Sequence, residues 1–135
     1  MIILYHQLEQ GRRGPEDYWY LGKPFTGKAV ELDAAGRLID ETEYVDGCQD
    51  GWDRSYYPEG QIAEECYYRR NLLHGVVREW YATGVLKREA LFDFGFQIES
   101  KTWSESGELI ADDLMDTSCD EFARYQAFRT RYANW

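Results

Sequence analysis

Gly51-Trp52-Asp53-Arg54-Ser55-Tyr56-Tyr57-Pro58-Glu59-Gly60-Gln61-Ile62-Ala63-Glu64-Glu65-Cys66-Tyr67-Tyr68 reads as two short strands joined by a tight turn. A three-residue hairpin loop ends in the left-handed region, where glycine escapes the Cβ clash, and Pro58 supplies the negative φ wanted at the start of the turn. With Pro58-Glu59-Gly60 as that loop, Tyr57 faces Gln61 and Tyr56 faces Ile62.

The pattern recurs along the chain. Gly36, Gly60, Gly84 and Gly107 are separated by 24, 24 and 23 residues. Four residues before each stands Leu32, Tyr56, Trp80 or Trp103, and two after it Leu38, Ile62, Leu86 or Leu109. Five after it comes an acid, Glu41, Glu65, Glu89 or Asp112, and eight after it Tyr44, Tyr68, Phe92 or Met115. Gly27, Gly51 and Gly75 open three of the copies, while Ile98 opens the fourth. Several columns in one register across four copies mark a repeat whose unit is a β-hairpin. The loop chemistry pairs Leu32 with Leu38, Tyr56 with Ile62, Trp80 with Leu86 and Trp103 with Leu109, and places Trp52–Cys66 and Val76–Ala90 on the same face.

The expected fold is mainly β: one elongated, twisted antiparallel sheet of about four stacked hairpins of period ~24, closed by a C-terminal helix. A single domain spans 1–135, with a cap or partial repeat over 1–26, the hairpins over 27–112 and the helical segment over 113–135. Within the first part, Tyr18-Trp19-Tyr20-Leu21 reads as a strand of a partial repeat, and Met1-Ile2-Ile3-Leu4-Tyr5-His6 as a short edge strand. In the last part, Thr117 or Ser118 is placed to cap a helix near 119–132 that carries Asp120 and Glu121 in its first turn. Phe122, Tyr125, Arg129 and Tyr132 recur at helical spacing and are expected to lie over the last hairpin.

Composition limits the functions available. The chain has 135 residues and a formal charge of −10, with 25 Asp/Glu against 15 Lys/Arg. Nucleic-acid backbones and anionic membranes bind through clustered Lys/Arg, so neither is an expected partner, and a basic protein is. Residues 27–50 carry seven acids against two bases and 98–135 eight against four, while 75–97 balance to zero; this suits steering of a basic ligand and equally a solvated surface. Cys48, Cys66 and Cys119 are far apart with no CxxC pair and read as reduced thiols of a cytoplasmic protein. The apolar opening lacks the basic start and cleavage site of a signal peptide.

Gly51–Tyr68 resembles the bacterial variant of the MORN repeat, Gly75–Phe92 is a second clear copy, and Gly22-Lys23-Pro24-Phe25-Thr26-Gly27 is similar to that family's connectors. The resemblance covers about residues 20–112. It departs at Leu32-Asp33, where an aromatic pair is usual, and at Ile98. Many proteins with this pattern are YwqK-type antitoxins or toxin-immunity proteins, so the resemblance implies a non-catalytic protein that binds and occludes a toxin. A structural or scaffolding repeat module is the alternative, since one fold hosts many functions.

The residues themselves yield several candidate sites. Tyr57, Tyr81, Tyr67 and Trp52 form a candidate binding stripe, because rigid aromatics dominate interface hot spots. Glu31, Asp33 and Glu43 are the candidate acidic contacts to a basic partner. The column Glu41, Glu65, Glu89, Asp112 reads as internal to the repeat, paired with Arg or Lys, ahead of a cation-binding array. Gly36, Gly60, Gly84, Gly107, Tyr56, Trp80 and Trp103 read as structural. No metal or cofactor is expected, since no loop has Asp-x-Asp-x-Asp-Gly spacing and no glycine-rich phosphate cradle occurs. Catalysis is not expected either. His6 and His74 have no nucleophile at triad spacing, and Cys66 alternates onto an apolar face. A free sheet edge leaves homodimerisation open.

Overall fold

Two series of turns set the architecture of the chain, which the computed structural model describes over residues 1–135. In the first series, Gly36, Gly60, Gly84 and Gly107 take φ of 81, 97, 88 and 88° and close the loops 33–37, 57–61, 81–85 and 104–108. The Tyr57 amide donates to the Gln61 carbonyl at 2.9 Å and the Gly60 amide to the Tyr57 carbonyl at 2.8 Å. The second series has positive φ at both central residues, the two-residue turn that matches strand twist. Its members are Asp46-Gly47, Arg70-Asn71 and Phe94-Gly95, with Leu21-Gly22 near the N-terminus. Asp-Gly is a recognised hairpin signal, whereas Arg-Asn has no such signature.

Between these turns run β5 (Gly27–Leu32), β6 (Leu38–Val45), β7 (Cys48–Tyr56), β8 (Ile62–Arg69), β10 (Gly75–Trp80), β11 (Leu86–Asp93), β12 (Phe96–Trp103) and β13 (Leu109–Leu114). They form an antiparallel meander in which each strand lies beside its chain neighbour. The short β9 (Leu72–Leu73) pairs with β8, and β1 (Ile2–Leu4) joins the other edge parallel to β5, giving ten strands. The edge strand expected to reach His6 stops at Leu4, because Tyr5–Gln7 turn as a short 3-10 helix whose Gln7 side chain accepts the Leu4 amide at 2.8 Å. The sheet is open, so it has two edges, and the mainly β fold with a C-terminal helix is the one expected.

The turn-proximal pairs Leu32–Leu38, Tyr56–Ile62, Trp80–Leu86 and Trp103–Leu109 are all present. One step further the register shifts: Ser55 faces Glu64, Glu79 faces Arg88, Glu31 faces Asp40 and Thr102 faces Ala111. Ile39, Ala63, Lys87 and Ile110 are thus the extra residues of a β-bulge built into every copy, three residues after the turn glycine. A bulge reverses which face the rest of that strand presents. The expected pairs Trp52–Cys66 and Val76–Ala90 are therefore corrected to Trp52–Tyr67 and Val76–Leu91, with Cys66 facing Asp53 and Ala90 facing Val77.

The correction moves the core. Ala29, Thr42, Cys66, Val77, Ala90 and Ser100 are buried in a column across the sheet on the face away from Tyr56, Trp80 and Trp103. Larger groups pack over this column at its N-terminal end and over its middle. Ile3, Phe25, Ala29 and Tyr44 form one cluster; Cys66, Val77 and Ala90 form another, packed against Tyr68, Leu73 and Phe92. The column eight residues after each turn glycine thus supplies the lids, while Tyr56, Trp80 and Trp103 are only half-buried.

Both caps differ in detail from expectation. Tyr18-Trp19-Tyr20 is a strand, β3 (Tyr18–Tyr20), but belongs to a small separate sheet between β2 (Glu9–Gln10) and β4 (Lys23–Pro24). Its Tyr18 and Tyr20 rings pack on Tyr44 and Phe25 at 5.2 and 6.1 Å, and backbone bonds of 2.8 Å from the Tyr18 amide to the Gly47 carbonyl and from the Gly47 amide to the Phe25 carbonyl tie it to a turn of the large sheet. Arg13 clamps this strap, donating to Asp17 at 3.1 and 2.8 Å and to Asp46 at 3.1 Å, and holds the Asp17 carboxyl down to about 2. At the other end, α1 (Asp120–Arg131) has Cys119 at its N-cap without a side-chain cap bond, because Ser118 is already committed to Asp116. The helix lies against the connector turns, not over the last hairpin. Phe128 and Tyr132 pack on Phe94, Tyr125 on Phe96, and the Tyr125 hydroxyl donates to Asp93 at 2.8 Å. Phe94 and Phe96, on either side of Gly95 at a two-residue turn, offer adjacent aromatic rings for the helix to pack on.

Copies are also tied turn to turn. The Tyr57 hydroxyl donates to the Trp80 carbonyl at 2.6 Å and the Tyr81 hydroxyl to the Trp103 carbonyl at 2.9 Å, each reaching into the next repeat. Tyr57→Phe and Tyr81→Phe should each lower the unfolding free energy by about 1 kcal/mol, the net worth of one such bond. Urea denaturation followed by far-UV circular dichroism reads the effect, and unchanged midpoints would show that the ties contribute nothing.

Candidate protein-interaction surface

The two faces of the sheet carry different electrostatics, and the bulge is the reason. On the face of Tyr56, the acid five residues after each turn glycine is flanked by bases. Across neighbouring strands Glu41, Arg54, Glu65, Arg78, Glu89, Lys101 and Asp112 stand in register in alternating sign. Arg54 lies 3.9 Å from Glu41 and 3.3 Å from Glu65, Arg78 lies 3.3 Å from Glu65 and 2.9 Å from Glu89, and Lys28 lies 3.3 Å from Glu41. The Tyr56 hydroxyl adds a 2.9 Å bond to Glu41. Arg54, Arg78 and Lys28 pair with the acids beside them, and Lys101 stands in register between Glu89 and Asp112, so the ladder's charges nearly cancel.

The opposite face is acidic. Next to the buried column runs a second cross-strand row, Glu31, Asp40, Ser55, Glu64, Glu79 and Arg88, with Asp53 beside it between Thr42 and Cys66. The row's guanidinium sits at its end, where Arg88 lies 3.4 Å from Glu79 and also donates to Ser100 and Gln97. Directly opposed like charges are destabilising in a sheet, as Glu64 and Glu79 are here. Loss of hydration raises the Asp53 carboxyl to about 6, with the charges of Asp40 and Glu64 adding to it. Asp40 is raised by burial and by Glu31 and Glu41, and Glu64 by loss of hydration and by Glu79. Lost hydration is the main cause of these raised values and the neighbouring carboxylates add to it, so this face carries acids that no base on it neutralises apart from Arg88.

The sequence-derived site residues distribute unevenly over these faces. Glu31 stands in the acidic row and is exposed. Asp33 is occupied by its own turn, accepting from the Ala35 and Arg37 amides at 2.9 and 3.0 Å and from the Arg37 guanidinium at 2.7 Å. Glu43 folds over Gly51 and accepts the Trp52 amide at 2.7 Å. A Cβ at Gly51 would lie 2.2 Å from that carboxylate, which explains the glycine. Tyr67 packs edge-on against Trp52 at 5.2 Å, and the Arg54 guanidinium stacks on Trp52 at 4.5 Å. Tyr57 and Tyr81 spend their hydroxyls on the neighbouring repeat, as described above.

Asp40, Asp53, Glu64 and Glu79 were missed from the sequence. The signal was present, since Asp40 and Glu64 both stand four residues after a turn glycine, but the row forms only once the bulge register is known. Nothing resembling a catalytic or metal centre accompanies it. No three His, Cys, Asp or Glu side chains converge to hold a metal ion, and burial pushes the Cys66 thiol up to about 12. No helix is long and apolar enough to cross a membrane.

The raised Asp53 pKa has a defined linkage sign. Its folded value near 6 exceeds the unfolded carboxylate value, so the charged form costs stability above pH 6, and that cost disappears as pH falls below about 4. Asp53→Asn should therefore stabilise the fold at pH 7 by about 1–2 kcal/mol after discounting for solvent screening, with the gain vanishing in acid. Thermal denaturation of both proteins at pH 4 and pH 7 reads it; an equal difference at the two pH values would contradict the assignment.

Among known families, two segments of the chain, residues 54–70 and 73–93, match the model described as MORN repeat variant. They cover most of the hairpin β7–β8 and the hairpin β10–β11, the two middle copies. MORN repeats are protein-interaction and scaffolding motifs. No curated protein and no solved structure matches the chain. The middle two hairpins of this sheet are thus similar to MORN-variant repeats.

Proposed function

We propose that the chain is a non-catalytic binding protein whose acidic face docks on a basic protein, and that this partner is a toxin silenced by occlusion in the cytoplasm. One observation carries the reading: the row of Glu31, Asp40, Glu64 and Glu79 with Asp53 has a single guanidinium at one end, while the opposite face is neutralised by its own bases. The MORN-variant repeats support protein interaction as the role. The resemblance of Gly51–Tyr68 to antitoxin and immunity proteins supports a toxin as the partner. Three free cysteines suit a reducing compartment.

Occlusion follows from shape and charge. A rigid sheet tied by Tyr57 and Tyr81 presents its carboxylates at fixed strand spacing, so little ordering cost falls on binding. If the toxin is a nuclease, the same carboxylates stand where nucleic-acid phosphates would. A scaffolding role is the second reading, favoured by the MORN-variant match itself.

The deciding experiment is capture of the partner by the tagged protein from its native host, followed by expression of the partner alone and together with this chain. Capture of one basic protein, lethal alone and harmless with the chain, is expected; capture of several harmless proteins would favour scaffolding. Glu64→Lys with Glu79→Lys should weaken the complex by at least about tenfold, since close charges are reversed at the contact. Affinity should also fall with added salt and as pH drops below 6, where Asp53 takes up a proton. A complex indifferent to salt, pH and this reversal would place the contact elsewhere.

A further inference from the structure

Strand β13 ends the large sheet and pairs only with β12. Its counterparts within the repeat are β6, β8 and β11, and each of those is paired on both sides. Asp40, Glu41 and Thr42 face Ser55, Arg54 and Asp53; Glu64 and Glu65 face Glu79 and Arg78; Arg88, Glu89 and Ala90 face Thr102, Lys101 and Ser100. The same positions in β13, counted from its turn glycine, are Ala111, Asp112 and Asp113, which face β12 on one side and no strand on the other. Leu109, Ile110 and Leu114 are 52, 63 and 76% exposed. Helix α1 leaves this edge open, because it packs on Phe94 and Phe96.

Natural sheet edges are blunted by charge, proline, bulges or a covering element. Leu109-Ile110-Ala111-Asp112-Asp113-Leu114 has no proline, lysine or cover, and its guards are the Ile110 bulge and the charges of Asp112 and Asp113, which repel an acidic strand and not a basic one. The charge ladder states what chemistry the vacant position selects. Every inner acid of the column is faced across its outer side by a base: Glu41 by Arg54, Glu65 by Arg78, Glu89 by Lys101. Asp112 is the column's last acid, and its outer side is empty. The strands that fill the inner positions read Asp53-Arg54-Ser55-Tyr56, Val77-Arg78-Glu79-Trp80 and Ser100-Lys101-Thr102-Trp103. Each offers a small or short residue, a base, a polar residue and an aromatic, and the Tyr56 phenol bonds back to the acid column at Glu41.

We infer that β13 is a strand-addition site for an extended segment of another protein, antiparallel to β13, with Arg or Lys opposite Asp112 and an aromatic two residues later. Main-chain bonds supply affinity in such additions and alternate side chains supply selectivity. A second copy of this chain is a poor occupant. β13 against itself adds acid to acid, and the other free edge, Ile2-Ile3-Leu4, brings no cation. The site is separate from the acidic face and does not rest on the reading given for it.

The test uses the full chain and a fluorescent peptide with the sequence of residues 74–82, which carries the base-polar-aromatic pattern of β10. Fluorescence anisotropy measures binding, and hydrogen exchange with mass spectrometry locates it. Saturable binding with protection over residues 109–114 is expected, weakened about tenfold by Arg78→Glu in the peptide, as attraction becomes repulsion. Asp112→Lys in the protein should invert the preference between the two peptides, and Asp112→Ser should abolish it. Protection confined to residues 40–64, equal binding of both peptides, or no binding at about 1 mM would overturn the inference. Dimers that protect 109–114 without peptide would overturn it as well, by naming a second copy as the occupant.

Discussion

Everything in this fold depends on the coupling of a left-handed glycine to a bulge three residues later. The glycine closes a loop tight enough to set the hairpin's first pair, and the bulge then shifts the second strand by one residue. Because side chains alternate with period two, that single shift decides which columns meet and which face each occupies. Repeated at Ile39, Ala63, Lys87 and Ile110, it aligns the small residues Ala29, Thr42, Cys66, Val77, Ala90 and Ser100 into one buried column. Tyr44, Tyr68 and Phe92, each eight residues after a turn glycine, pack against it.

The same shift separates charge. Acids five residues after the glycine meet bases from the adjoining strands and cancel, whereas acids four residues after it meet other acids. A chain with a formal charge of −10 thus keeps one nearly neutral face and one strongly acidic one. On the second face the carboxyl pKa values are raised, first by lost hydration and then by the neighbouring acids. The aromatic side chains that invite comparison with interface hot spots are largely spent on the repeat: Tyr57 and Tyr81 on the next copy, Tyr56 on the acid column, Trp52 on Arg54 and Tyr67.

Repeat architectures satisfy their inner units first and leave the ends to improvise. At the N-terminal end a parallel strand and a small separate sheet cover the buried column, held by aromatic packing and the Arg13 clamp. The C-terminal helix instead covers the connector turns through Phe94, Phe96 and Trp135, leaving the edge of β13 uncovered. The two ends are therefore unequal, and the position facing Asp112 inherits an electrostatic preference from the repeat without an internal strand to meet it.

How much of this was legible in the chain depends on the range of the interaction involved. Turn glycines, the pairs Tyr56–Ile62 and Trp80–Leu86, the hairpin count and the terminal helix are local, governed by backbone sterics and spacing within about ten residues, so the sequence by itself determined them. The face assignment of Cys66 and Ala90 was not legible, because a bulge is a register choice made by packing across strands and Ala63 or Lys87 carries no mark of it. Nor was the acidic row, since Glu31, Asp40, Glu64 and Glu79 come from strands separated by turns and become neighbours only through that register. The docking of the helix on Phe94 likewise awaited the fold. Local sterics write hairpins; which columns become core, ladder or acidic face is decided by strand-to-strand register, which only the tertiary structure contains.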